Sequence, residues 1–206
     1  MRHRRTEEDL EDFAWKVREK LGVAEQRRPD MLTVIMKLKA LHPGFNYRRV
    51  PDSELPDVEA SFDSGSQVIS MRESVFRGSQ TQQPRARMTI AHELGHFLLG
   101  HEGTRNRSVE RSAVERTVRD YKVDEFEARR FGAAFLVPAS LVGPEWSPAT
   151  IAVEFAISLE AATYRRDEID RLHRRATGQQ RPLPNTVVDF LREAERRGYR
   201  PRTPFE

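Results

Sequence analysis

Between Pro84 and Leu99 the chain is apolar almost all round, through Met88, Ile90, Ala91, Leu94, Phe97, Leu98 and Leu99, yet it is broken by His92-Glu93-Leu94-Gly95-His96. Pro84 suits the first turn of a helix and Gly100 its C-terminal stop. A helix that is apolar on every side belongs inside a protein. Two imidazoles and a carboxylate are costly to bury there unless something compensates them. The fold must therefore give this segment either hydrogen-bond partners for two core histidines or a metal ion.

The spacing favours the ion. Residues four apart on a helix share a face one turn apart, so His92 and His96 can chelate one metal, at about 2.0–2.1 Å for zinc. Glu93 lies roughly 100° round the helix and cannot easily join them, but it can reach a water at an open metal position. That is the placement of a general base in a metallopeptidase, with Glu93 taking a proton from the attacking water and passing it to the leaving amine. Gly95 leaves room for a neighbouring segment to approach.

A catalytic zinc needs a third protein ligand. The chain has no cysteine, so neither a thiolate site nor a disulfide scaffold is available. The metzincin spacing would require a histidine six residues after His96, where Glu102 stands. His101 falls beyond the helix stop and is expected to satisfy carbonyls at the helix C-terminus. A carboxylate from Asp124-Glu125-Phe126-Glu127-Ala128-Arg129-Arg130-Phe131 has the right character. Glu125 shares a face with Ala128 and Gly132, small residues that would let two helices sit close. Glu125 is the expected ligand, and Glu127, which shares its face with Phe131, is the alternative.

The remaining pattern reads as helices around a short β region. Thr6–Leu21 is an amphipathic helix with a Thr6/Asp9 capping pair, ended by Gly22. Asp30 caps a second, from Met31 to Leu41, stopped by His42-Pro43-Gly44. Asp57–Phe62 and Gln67–Met71 flank a turn at Asp63-Ser64-Gly65-Ser66 and form a hairpin. Thr104–Tyr121 is an Arg- and Glu-rich surface helix or insertion with a thin stripe of Val109, Ala113, Val114 and Val118. Asp124–Leu136 is a separate helix. A short helix covers Ala149–Ala156, Ser158 caps a longer one to about Leu172, Arg174–Pro184 is a polar linker, and Asn185 or Thr186 caps a last helix that Gly198 closes.

A length of 206 residues suits one domain with a small appendage. We expect a metallopeptidase domain over 1–145, including the N-terminal helices, and a C-terminal helical extension over 146–206 packed on it. The formal net charge of +3 comes from basic residues interleaved with acidic ones, without the segregated basic face that phosphate binding needs. The basic N-terminus, Met1-Arg2-His3-Arg4-Arg5, is followed by no apolar stretch, and no run is long enough to span a bilayer. The expected compartment is the cytoplasm.

Three segments resemble the ImmA/IrrE family of metallo-endopeptidases: Arg85 to His101, Glu125 to Pro138 and, more weakly, Ile151 to Ala162. The resemblance spans about residues 47–172. It implies an α+β, gluzincin-like (zincin) fold with a small antiparallel sheet packed on metal-binding helices and a C-terminal helical part. It implies Zn2+ held by His92, His96 and Glu125, with Glu93 as base. It also implies a protein substrate, a helix-turn-helix transcriptional repressor that is cleaved or inactivated. Where the family has Asn four residues after the third ligand, this chain has Arg129, which must swing outward or sit in a rebuilt surround, because a cation beside a ligand histidine is unfavourable. The strand near Gln67–Met71 is expected to border the cleft and to pair with extended substrate.

Two other readings compete. Residues 149–172 form a helix-turn-helix-like pair, with Arg165, Arg166, Arg171, Arg174 and Arg175 near DNA phosphates, although Asp167, Glu168 and Asp170 dilute that face. Alternatively the chain is a peptidase-like binding module without catalysis. The transition-state stabiliser is open among Tyr121, Tyr164, Arg129 and His173.

Overall fold

The computed structural model describes residues 4–102, 111–179 and 183–199, with side chains placed outside 111–119. The chain divides into two compact units, Met1–Glu168 and Ile169–Glu206. In the first, α1 (Glu7–Lys20) begins at the Thr6/Asp9 capping box, and α2 (Met31–Leu41) begins at Asp30, whose carboxylate accepts from the Thr33 N–H. Three strands follow, β1 (Asn46–Val50), β2 (Ala60–Asp63) and β3 (Val68–Arg72), in spatial order β1-β3-β2. The hairpin is antiparallel with Phe62 opposite Ile69, and Asp63 closes its turn by accepting from the Gly65 N–H and the Ser66 hydroxyl.

After the sheet come α3 (Glu73–Gln80), α4 (Pro84–Leu98), α5 (Arg111–Leu136), α6 (Pro148–Phe155) and α7 (Leu159–Ala176). The last of these runs across the unit boundary, and the second unit also holds α8 (Asn185–Arg196). Pro84 sits at the start of α4, and Gly100 beyond its end takes φ 66°, a left-handed conformation that suits glycine. The architecture is α+β, as the sequence implies.

Some elements differ from the sequence reading. The helices expected over Thr104–Tyr121 and Asp124–Leu136 are one continuous helix, α5, within the described residues. Residues 104–110 lie outside the described residues, as do the side chains of Val109, Ala113, Val114 and Val118. Strand β1 and helix α3 have no counterpart in the sequence pattern. Strand β1 is Asn-Tyr-Arg-Arg-Val and mostly exposed, so it lacks the apolar alternation that marks a strand, and it runs parallel to β3, which makes the sheet mixed. Arg49 on β1 pairs with Glu73 on α3 at 2.6 Å and lies over the Phe76 ring at 4.0 Å, so tertiary contacts hold both elements. Helix α7 extends to Ala176, and α8 is preceded by Pro184, so Asn185 is its first residue and not its cap.

Helix α5 lies against both α4 and α1. Phe13 of α1 meets Phe131 at 5.8 Å between centroids, and Leu10, Ala14 and Val17 are buried on the same helix. Burying one such aromatic side chain contributes about 1.5–3 kcal/mol. Three fully buried arginines tie the ends together through backbone carbonyls. Arg18 donates to Phe135 O at 2.5 Å, Arg165 to Val137 O at 2.9 Å, and Arg87 to Pro29 O at 2.8 Å. Burial lowers the Arg18 and Arg87 guanidinium pKa values to about 10, so both stay charged at neutral pH.

Helices α4 and α5 touch through their backbones. A Cβ on Gly95 would lie 2.9 Å from Ala128 O and 3.0 Å from its Cα, and a Cβ on Gly132 would lie 3.3 Å from the Ala91 carbonyl carbon. The two sites should respond differently to alanine, which gains about 1 kcal/mol of helix propensity over glycine. At Gly132 that gain offsets a mild squeeze, and Gly132→Ala is expected to be near neutral. Both obstacles are backbone, but at Gly95 it stands at 2.9 Å against 3.3 Å at Gly132, so Gly95→Ala is expected to lose about 1–3 kcal/mol. Urea unfolding of both variants measures this, and a Gly95→Ala protein as stable as wild type would show that the helices do not meet there.

Candidate metal centre

The backbone contact sets the distance between the two histidines on α4 and the carboxylate on α5. Glu125 lies one turn before Ala128 on the face turned to α4, where the small residues at 95, 128 and 132 bring it within reach. The Nε2 atoms of His92 and His96 are 3.1 Å apart. Glu125 Oε2 lies 3.4 Å from His92 Nε2, and Oε1 lies 3.3 Å from His96 Nε2. A tetrahedral ion with ligands at about 2.0–2.1 Å places them about 3.3 Å apart, so the three donors already have the spacing of a metal site. Among the described residues they are the one His/Asp/Glu group so arranged. Hydrogen bonds to His92 and His96 hold the Glu125 carboxyl well below the usual carboxylate range, so it is ionised and ready to coordinate.

The two carboxylates weighed as third ligand are therefore separated by the structure. Glu125 faces the histidines. Glu127 is turned away and buried, where it takes the Arg5 backbone N–H at 2.9 Å and the Arg5 guanidinium at 2.6 Å. Arg129 is exposed and does not line the cleft with the histidines. His101 does not serve mainly as a helix cap. It is buried, and its Nδ1 lies 3.0 Å from His96 Nδ1. This contact escaped sequence reasoning because the five-residue spacing passes through the turn at Gly100 and not along a helix face.

Glu93 is 8 % exposed and lines the same cleft. Burial pushes its carboxyl above the ordinary value, against the nearby His92 and His96 and a hydrogen bond from the Phe62 backbone N–H. The cleft encloses about 500 Å³, and its walls include β2, Tyr121 and the three candidate ligands. Tyr121 stands one turn before Glu125 and hydrogen-bonds to it, and burial together with the Glu125 charge raises its phenol pKa. Of the four groups weighed as transition-state stabilisers, Tyr121 is on the cleft wall, while Tyr164 and Arg129 are exposed outside it and His173 belongs to the second unit.

A sequence profile for the M78 peptidases, the IrrE N-terminal-like domain, matches residues 52–166. The chain belongs to this family. The matched segment runs from just before β2 into the first half of α7 and carries His92, Glu93, His96 and Glu125, leaving α1, α2 and β1 outside it. None of the curated proteins matches the chain. Solved structures do. One, a Mycobacterium tuberculosis transcriptional regulator, aligns at a TM-score of 0.51 and 13% identity over 77% of this chain and 46% of its own. That likeness shows a shared fold, and this chain spans less than half the length of that protein.

The strand expected to border the cleft is corrected. β3 is central, paired with β1 on one side and β2 on the other, so neither edge is open to substrate. The open edge beside the candidate ligands is β2. Arg72 N–H donates to Glu59 O, so the backbone groups of Glu59 and, by alternation, Ser61 face β3. Those of Ala60 and Phe62 face the cleft, which agrees with the Phe62 N–H reaching Glu93. The arginines proposed for a DNA face are also partly accounted for: Arg165 is buried against Val137 O and Glu11, and Arg166 donates to Gly143 O.

Proposed function

We propose that the protein is a zinc-dependent endopeptidase, with His92, His96 and Glu125 as ligands and Glu93 as general base. The observation that carries this reading is the convergence of three donors at tetrahedral spacing on the wall of a cleft that also holds a buried carboxylate. Zinc, when bound, supplies Lewis acidity and lowers the pKa of a water to about 7. The chain's residues do the rest. Glu93, held by the Phe62 N–H, takes a proton from the attacking water and returns it to the leaving amine. Tyr121 donates its hydroxyl to the oxygen on which negative charge develops. The free edge of β2 binds extended peptide through the Ala60 and Phe62 backbone groups.

For substrate we favour a helix-turn-helix repressor, on the family resemblance, and the cytoplasm as compartment. No described helix is long and apolar enough to cross a membrane. The DNA-binding reading is weakened because Arg165 and Arg166 are engaged inside the protein.

Two sets of measurements test the proposal. Co-expression with neighbouring repressors should yield discrete fragments by mass spectrometry with wild type and none with Glu93→Gln, while both proteins carry about one zinc per chain by elemental analysis. His92→Ala, His96→Ala and Glu125→Ala should lose the zinc. A wild-type protein that stays metal-free with zinc supplied refutes the proposal, and zinc without cleavage in any condition favours the binding-module alternative.

The edge assignment has its own contrast. Proline removes a backbone donor. Ala60→Pro should raise KM severalfold while zinc content and Tm stay near wild type, because its N–H faces the cleft. Ser61→Pro, whose N–H faces β3, should instead lower Tm. Equal loss of Tm in both variants would remove β2 as a substrate edge.

A further inference from the structure

Behind the candidate ligands lies a second line of polar groups. If His96 coordinates through Nε2, its remaining ring proton is on Nδ1 and needs an acceptor. The group at 3.0 Å is His101 Nδ1. To accept there, His101 must carry its own proton on Nε2, and that atom faces Glu127 Oε2 at 3.4 Å and Asp124 Oδ1 at 3.5 Å. Glu127 is in turn gripped by Arg5 through both its backbone N–H and its guanidinium, and the same guanidinium donates to Leu99 O at 3.1 Å, at the end of α4. Each proton assignment thus follows from the one before it. The inner members are buried, His101 at 2% exposure and Glu127 at 1%. In such surroundings, breaking the line would strand a charge or a donor.

We propose that His101, Glu127 and Arg5 are positioning residues that hold His96 in its ligand tautomer and orientation. A residue preceding α1, outside the family segment of 52–166, would thereby help set metal affinity. The inference rests on the metal-site reading above. Partners behind ligand histidines are ordinarily single carboxylates or carbonyls. Here a second histidine stands between ligand and carboxylate, and an arginine from a distant part of the chain fixes the carboxylate.

The test is zinc affinity measured by chelator competition, beside the Tm of each metal-free protein. Leu and Asn have nearly the same shape, and Asn can place an acceptor where His101 has Nδ1. His101→Leu should weaken zinc binding by about tenfold to a hundredfold, and His101→Asn should restore it to within a few-fold of wild type. A role in packing alone would give the reverse order, since leucine is the better buried residue. Arg5→Ala, whose side chain is a third exposed, should weaken zinc severalfold and, because it strips the guanidinium from buried Glu127, should also lower the Tm of the metal-free protein, whereas Arg5→Lys, which keeps a cation there, should recover part of both. Adding Arg5→Ala to Glu127→Gln should cost less than the two single effects combined, because they act in one line. Wild-type affinity in both His101→Leu and Arg5→Ala overturns this inference and leaves the metal site standing. A wild-type protein that takes up no zinc overturns both.

Discussion

Everything at the centre of this molecule depends on how closely α4 and α5 approach. Helices separated by ordinary side chains keep their axes 8–10 Å apart. Here Gly95 sits on the backbone of Ala128, and Gly132 on that of Ala91, so no side chain intervenes. A short carboxylate reaching from one helix can then meet two imidazoles on the other. One extra methyl at Gly95 would meet main chain, which has no rotamer to retreat into. The chemistry of the site is therefore set by van der Waals contact between two helical backbones.

That closeness also explains how so much charge is accommodated in an apolar setting. His92, Glu93, His96 and Glu125 face one another and the cleft, while Glu127 pairs with Arg5 and with His101, whose ring also reaches the cleft wall. Each group has a partner of opposite or complementary character. Unpaired, any of these would carry a desolvation penalty of several kcal/mol. Paired in this way, they leave the apolar sides of both helices for packing, and Phe131, Phe135 and Leu94 fill the core undisturbed.

The site was more legible than the sheet. Periodicity alone placed both histidines on one face of a buried helix and singled out Glu125 over Glu127, because Ala128 and Gly132 mark where a second helix can approach. Caps at Thr6, Asp30 and Ser158 located three helix starts, since those side chains bond to the first turn of their own helix. What could not be read depends on contacts distant in sequence. Strand β1 has a polar sequence and is held by β3 and by Arg49 on Glu73, neither of which leaves a periodic trace. Which hairpin strand would be the free edge depended on where β1 docks, so without β1 the strand beside the cleft was misassigned. The link from Arg5 to Glu127 spans 122 positions, beyond any local pattern.

Helix α1 carries a consequence for where this protein begins as a physical object. Sequence kinship starts at residue 52, yet Phe13 rests on Phe131, Arg18 holds the Phe135 carbonyl, and Glu11 receives both Arg165 and the Ala139 N–H. Cutting at the boundary of kinship would lay open one side of α5 and take Glu11 from buried Arg165 and the Pro29 carbonyl from buried Arg87, because the segment of shared sequence is smaller than the core it helps to build. The family segment is in this sense a guest within its own hydrophobic core, completed by residues that carry no family signature.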